Sequence, residues 1–101
     1  MNLSTIVGEA YSTATQKGFW DKAPSRKMMI CTKLLLIHSE ITEAMEAIRE
    51  GDGDGNLGEE LADAVIRIAD LAGFAQIDLD FEVKQKMAIN KARPYKHHRQ
   101  F

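Results

Sequence analysis

Between Ser25 and Gln76 the chain carries two long segments whose apolar residues recur with a helical period, separated by one glycine- and aspartate-rich turn. Proline interrupts neither segment, and neither shows the period-two alternation of a strand. Two antiparallel helices joined by a tight connection satisfy this pattern. At about 100° per residue, the apolar stripe of the first segment runs through Ile30, Leu34, Ile37, Ile41, Ala44 and Ile48, with Met29, Leu36 and Ala47 on its shoulder. In the second, Leu57, Leu61, Ala64, Val65, Ile68, Leu71, Ala72 and Ala75 cover most of the circumference. They leave a stripe of Glu59, Glu60, Asp63, Arg67 and Asp70 that is narrower than an ordinary solvated face.

Both segments carry a pair of carboxylates three residues apart: Glu40 and Glu43 in the first, Glu60 and Asp63 in the second. That spacing stacks two oxygen donors on one helix face. Like charges so placed destabilise an isolated helix by roughly 0.2–0.5 kcal/mol per pair, which a bound cation offsets. Glu40 and Glu43 fall on the shoulder of the apolar stripe, facing inward or at the edge of the core. A hard divalent metal held by carboxylates, and through it a phosphate, is the chemistry this arrangement suits.

At 101 residues with 45% hydrophobic content, the chain makes one domain, residues 1–101, with a core modest enough that association between copies would help. The third helix is apolar over too much of its surface for a single small bundle to cover, so a homo-oligomer, dimer or tetramer, is expected. No run of about 18 uncharged apolar residues is present. The N-terminus lacks the basic-then-apolar pattern of a signal peptide. The lone Cys31 excludes an internal disulfide and reads as a small core residue in a reducing compartment, so the expectation is a cytoplasmic protein without a membrane partner.

Residues 40–70 hold ten acidic groups against Arg49 and Arg67, whereas Lys91, Arg93, Lys96, His97, His98 and Arg99 make the C-terminus basic. An acidic centre with a basic end suits a metal and an anion together. Nucleic acid is disfavoured as a partner, because the basic segment is short, no aromatic ladder accompanies it and the acidic centre would repel a phosphate backbone.

The remaining segments complete an all-α reading of four helices in a bundle. The first starts at a cap near Ser4, carries Ile6, Val7 and Ala10 on one side and ends by Gly18; Phe19 and Trp20 follow in a connection closed by Pro24. The second runs from about Ser25 to Glu50, the third from about Leu57 to Gln76, and the fourth from a cap at Asp78 to just before Pro94. In the turn between the acidic helices, Asp52, Asp54 and Asn56 alternate like the first ligands of a calcium loop. The sixth position of such a loop, which needs glycine, is Leu57, and the twelfth is the short Asp63. A polar turn is therefore the better reading.

Glu40-x-x-Glu43, sixteen intervening residues and Glu60-x-x-Asp63 within Glu-Glu-Leu-Ala-Asp resemble the signature of the MazG-like all-α nucleoside triphosphate pyrophosphohydrolases. The run from Lys86 through Asn90 and Arg93 to His97 resembles that family's closing motif, so the resemblance extends from about residue 34 to the C-terminus. One departure is His98, where related tails often read glycine after histidine. The resemblance implies hydrolysis of nucleoside or deoxynucleoside triphosphates to a monophosphate and pyrophosphate. Glu40, Glu43, Glu60 and Asp63 would hold Mg²⁺, for which Mn²⁺ can substitute, and one carboxylate would take a proton from the attacking water. The reading from another class is a helical metal-binding or partner-binding module without turnover.

Lys86, Asn90 and Arg93, at i, i+4 and i+7, share one face of the fourth helix. As the resemblance also implies, they would supply donors to phosphate oxygens. Trp20, with Phe19, is placed to stack on a nucleobase or to anchor the core. Asp70 reads as a structural ion-pair partner of Arg67 or of a basic residue of the fourth helix, Glu59 as an accessory ligand and His38 as a packing or interface residue.

Overall fold

The computed structural model describes residues 1–20, 25–51 and 56–94, and among them every regular element is helical. The four helices are α1 (Leu3–Gln16), α2 (Arg26–Glu50), α3 (Leu57–Ala75) and α4 (Leu79–Ala92). The all-α expectation holds. The cap of α1 is Asn2 rather than Ser4: its Oδ1 accepts from the Thr5 amide at 2.9 Å. Asp78 caps α4 as the sequence indicates, accepting from the Phe81 amide, and Ser25, where the sequence places the start of the second helix, caps α2 by accepting from the Met28 amide. At the end of α3, Gln76 turns into the left-handed region at φ 59°, and the Ile77 amide closes back on Ala72 O at 2.9 Å. The calcium-loop question falls on residues 52–55, which lie outside the described residues, as does the tail from Tyr95 onward.

The packing runs from α2 through α3 and α1 to α4, with α3 at the centre. Small residues let α1 lie close on α3. Ala69 is fully buried, Ala72 nearly so, and a Cβ added to Gly73 would fall 2.5 Å from Tyr11 Cβ. Ala14, Trp20 and Met29 form the buried cluster beside this contact, with Tyr11, Leu71 and Phe74 packed around it.

The stripe of α2 is rotated from the one read in the sequence. Met29 and Ile37 are buried and Lys33, Glu40, Ala44 and Ile48 partly so, whereas Leu34 and Ile41 are exposed. The reason is that α2 packs on α3 and buries a narrow line against it. Cys31, expected in the core, lies on the exposed side of that line. Leu35, Leu61 and Met87 are each more than half exposed, and residues 81–94 are exposed throughout. The radius of gyration is 16.0 Å, against about 13 Å for a compact chain of 100 residues. Among the described residues no helix is long and apolar enough to cross a membrane.

Candidate functional site

Helix packing places the acidic pairs before any chemistry is considered. Because α2 turns the Lys33–Ile37–Glu40–Ala44 line toward α3, Glu40 is partly buried while Glu43, nearly a full turn further on, is exposed. On α3, Glu60 is partly buried and Asp63 exposed. Glu40 and Asp63 line one open groove of about 860 Å³, together with Phe19, Lys17, Arg67 and Asp70. Glu43 and Glu60 do not line it. Among the described residues no three carboxylate, histidine or cysteine side chains stand close enough to share a metal ion.

Charge around Glu40 is balanced instead by Arg67, whose Nε lies 2.6 Å from Glu40 Oε2. That oxygen is shielded from solvent, yet no donor is directed at it in hydrogen-bonding geometry. The contact is therefore a close charge pair with its lone pairs unsatisfied, since a short distance without alignment forms a poor hydrogen bond. A carboxylate oxygen of this kind is a donor that a hard divalent cation would satisfy, and Asp63 lines the same groove. The donors fit such an ion in kind, all of them carboxylate oxygens on neighbouring helices, but among the described residues they do not converge on one point.

Arg67 and Asp70 therefore do not pair with each other as the sequence suggests. Arg67 reaches across to Glu40, and Asp70 Oδ1 accepts the indole N–H of Trp20 at 2.7 Å. Burial pushes the Asp70 carboxyl above the ordinary aspartate range, opposed by the Trp20 hydrogen bond and by the charges of Lys33 and Arg67. Trp20 is itself enclosed: it stacks on Phe74 at 3.9 Å between centroids, meets the edge of Tyr11, and has the Lys33 ammonium 4.8 Å from its ring. The ring is a core anchor here. Its neighbour Phe19, 55% exposed, is the aromatic on the groove.

The fourth helix sits apart from this groove. Lys86 and Asn90 are exposed and do not line it. Arg93 does not continue their helical face, because the backbone becomes extended at this residue (ψ 146°), as expected immediately before Pro94. Sequence reasoning also missed α1's share of the groove: Glu9 and Lys17 line it. No motif marks them, and only the close seat of α1 on α3 brings them there.

The family model for the MazG nucleotide pyrophosphohydrolase domain matches residues 31–99, spanning both acidic pairs and the Lys86–Arg93 segment. No curated protein and no solved structure matches the chain.

Proposed function

The chain belongs to the MazG nucleotide pyrophosphohydrolase family, and from that premise we propose that it hydrolyses nucleoside or deoxynucleoside triphosphates to the monophosphate and pyrophosphate. Membership points to a hydrolase acting on acid anhydrides. The observation that carries the finer reading is the shared groove of Glu40 and Asp63, one from each acidic pair, beside an exposed aromatic ring.

In this reading Glu40, Glu43, Glu60 and Asp63 hold Mg²⁺, or Mn²⁺ in its place. The ion, when bound, acidifies a water and neutralises charge on the phosphates. The chain's residues supply the rest. The two facing helices carry the carboxylates, and one carboxylate left partly free would accept the proton of the attacking water. Phe19 offers its face to the base, the role the sequence had divided between it and Trp20. Lys86, Asn90 and Arg93 donate to phosphate oxygens. Because α4 stands away from the groove and leaves Phe81, Met87 and Ile89 exposed, association of copies into at least a dimer is the step that brings these donors to a nucleotide. Nothing in the donor set calls for nucleic acid or membrane, and a cytoplasmic setting suits the unpaired Cys31.

The unassembled carboxylates favour, as a second reading, a helical module that binds metal or a partner without turnover. Magnesium-dependent pyrophosphate release from a panel of nucleotides separates the two. The enzyme reading expects release that Glu43→Gln or Asp63→Asn abolishes with helix content retained. Full turnover in either variant at saturating Mg²⁺ would remove the site assigned here.

A further inference from the structure

Arg67 is the basic residue of the acidic stripe, and the proposed reaction leaves it without a role. It lies one turn beyond Asp63 on α3, and its Nε reaches 2.6 Å from Glu40 Oε2 on α2. The oxygen it meets is withdrawn from solvent and lacks an aligned donor. Arg67 thus compensates the charge of Glu40 without saturating its hydrogen-bonding capacity, which is what a movable counter-ion does and what a fixed bidentate clamp does not. The Arg67 side chain is itself 43% exposed, and it faces the same groove as Asp63 and Asp70. It therefore has room to leave and an acidic surface to leave along.

A carboxylate oxygen that takes Mg²⁺ at about 2.1 Å brings the ion within a few ångströms of a guanidinium at contact distance, and the repulsion between the two cations at that range weakens the hold of Arg67. We propose that Arg67 occupies the cation position at Glu40 in the metal-free chain and is displaced when a divalent metal binds, so that metal uptake and release of the Arg67 side chain into the groove are one event. The proposal rests on the reading of Glu40 as a metal ligand. It gives the acidic hairpin a reason to hold together without its ion, since Glu40 faces a helix whose polar stripe is otherwise acidic at Glu59, Glu60, Asp63 and Asp70.

The test uses the full chain and Mg²⁺ alone, with no nucleotide. Calorimetry compares wild type, Arg67→Gln and Arg49→Gln; Arg49 is an exposed arginine near the end of α2 that removes the same charge without touching Glu40. Arg67→Gln should bind Mg²⁺ roughly two- to fivefold more tightly, the size of a partly exposed ion pair, and Arg49→Gln should match wild type. In parallel, the Arg67 Nε–H resonance, assigned by its loss in Arg67→Gln, should shift as Mg²⁺ is added, with the calorimetric midpoint. Equal affinities for Arg67→Gln and wild type, an equal gain in Arg49→Gln, or an Nε–H signal unmoved at saturating Mg²⁺ would each overturn the displacement. If the wild-type chain takes up no Mg²⁺, the metal reading of the carboxylates falls and this inference with it. Binding with Arg67 unmoved sinks this inference alone.

Discussion

The indole N–H of Trp20 donates to Asp70 Oδ1 across 2.7 Å, tying the segment after α1 to the acidic stripe of α3. One atom pair thus links the aromatic core to the acidic face of α3. The ring that stacks on Phe74 is also the donor that keeps a partly buried carboxylate satisfied.

Trp20→Phe keeps an aromatic ring but deletes the donor. It should cost about 1–3 kcal/mol of unfolding free energy, the penalty of leaving a desolvated acceptor without a partner. Urea unfolding measures it. Asp70→Asn retains an oxygen to accept the bond and should cost less than Trp20→Phe; the reverse order would mean that the hydrogen bond is not what holds the pair.

Acid stability carries the signature of the same carboxyl. The folded chain holds the Asp70 proton more tightly than the unfolded chain does, so between the ordinary value and the raised one the folded state binds more protons. In that window the contribution of Asp70 to stability falls as pH rises; it is constant below and above. Relative to wild type, Asp70→Asn should therefore gain stability as pH climbs from about 3.9 and level off once Asp70 is fully ionised. A stability difference that does not change with pH would contradict the shift.

Gly73→Ala sets two effects against each other. Alanine favours a helix interior by about 1 kcal/mol over glycine, but the new methyl would fall 2.5 Å from Tyr11 Cβ. Overpacking of this kind costs about 1–3 kcal/mol, so thermal unfolding should occur at lower temperature. Gly58→Ala near the start of the same helix meets nothing within 4 Å and should be neutral or stabilising. Equal effects at the two positions would show that α1 yields at its contact with Gly73.

Lys86→Ala separates phosphate grip from metal grip. Losing one charge-assisted hydrogen bond of about 1.5–3 kcal/mol corresponds to a roughly ten- to hundredfold fall in kcat/KM, while Mg²⁺ uptake without nucleotide should persist. Steady-state kinetics beside calorimetry reads both. Unchanged kinetics would return Lys86 to the solvated surface.

Sedimentation should find at least a dimer at micromolar concentration, because α2, α3 and α4 leave Leu35, Leu61 and Met87 open to water. Substituting Leu35 and Met87 with glutamate should shift the equilibrium toward monomer. A stable wild-type monomer would rule out association as the means of covering these side chains.

Helix number and order and the cap at Asp78 were legible in the sequence because each depends on local signals: the apolar period, the aspartate ahead of α4, and the proline at 94. The acidic pairs were legible for the same reason. Which side of α2 faces inward was not, since Leu34 and Met29 are equally apolar and only the single line of contact with α3 selects between them. The partners of Asp70 and Arg67 were not legible either. Sequence spacing puts the two on one stripe, whereas their actual partners come from the segment after α1 and from α2, through contacts far apart in the chain. Phe19 and Trp20 are adjacent in sequence, and no pattern reveals which ring the core takes and which it leaves at the groove.

The seat of α1 on α3 has a further bearing on how portable the acidic motif is. The helix precedes the stretch matched by the family model, yet it supplies Tyr11 and Ala14 to the core and Glu9 and Lys17 to the wall of the groove. A hairpin transplanted from residue 31 onward would carry both acidic pairs to its new host but leave behind one side of the vessel. The signature that makes the chain recognisable is thus not a self-sufficient cassette; its shape is on loan from an N-terminal helix that the signature does not include.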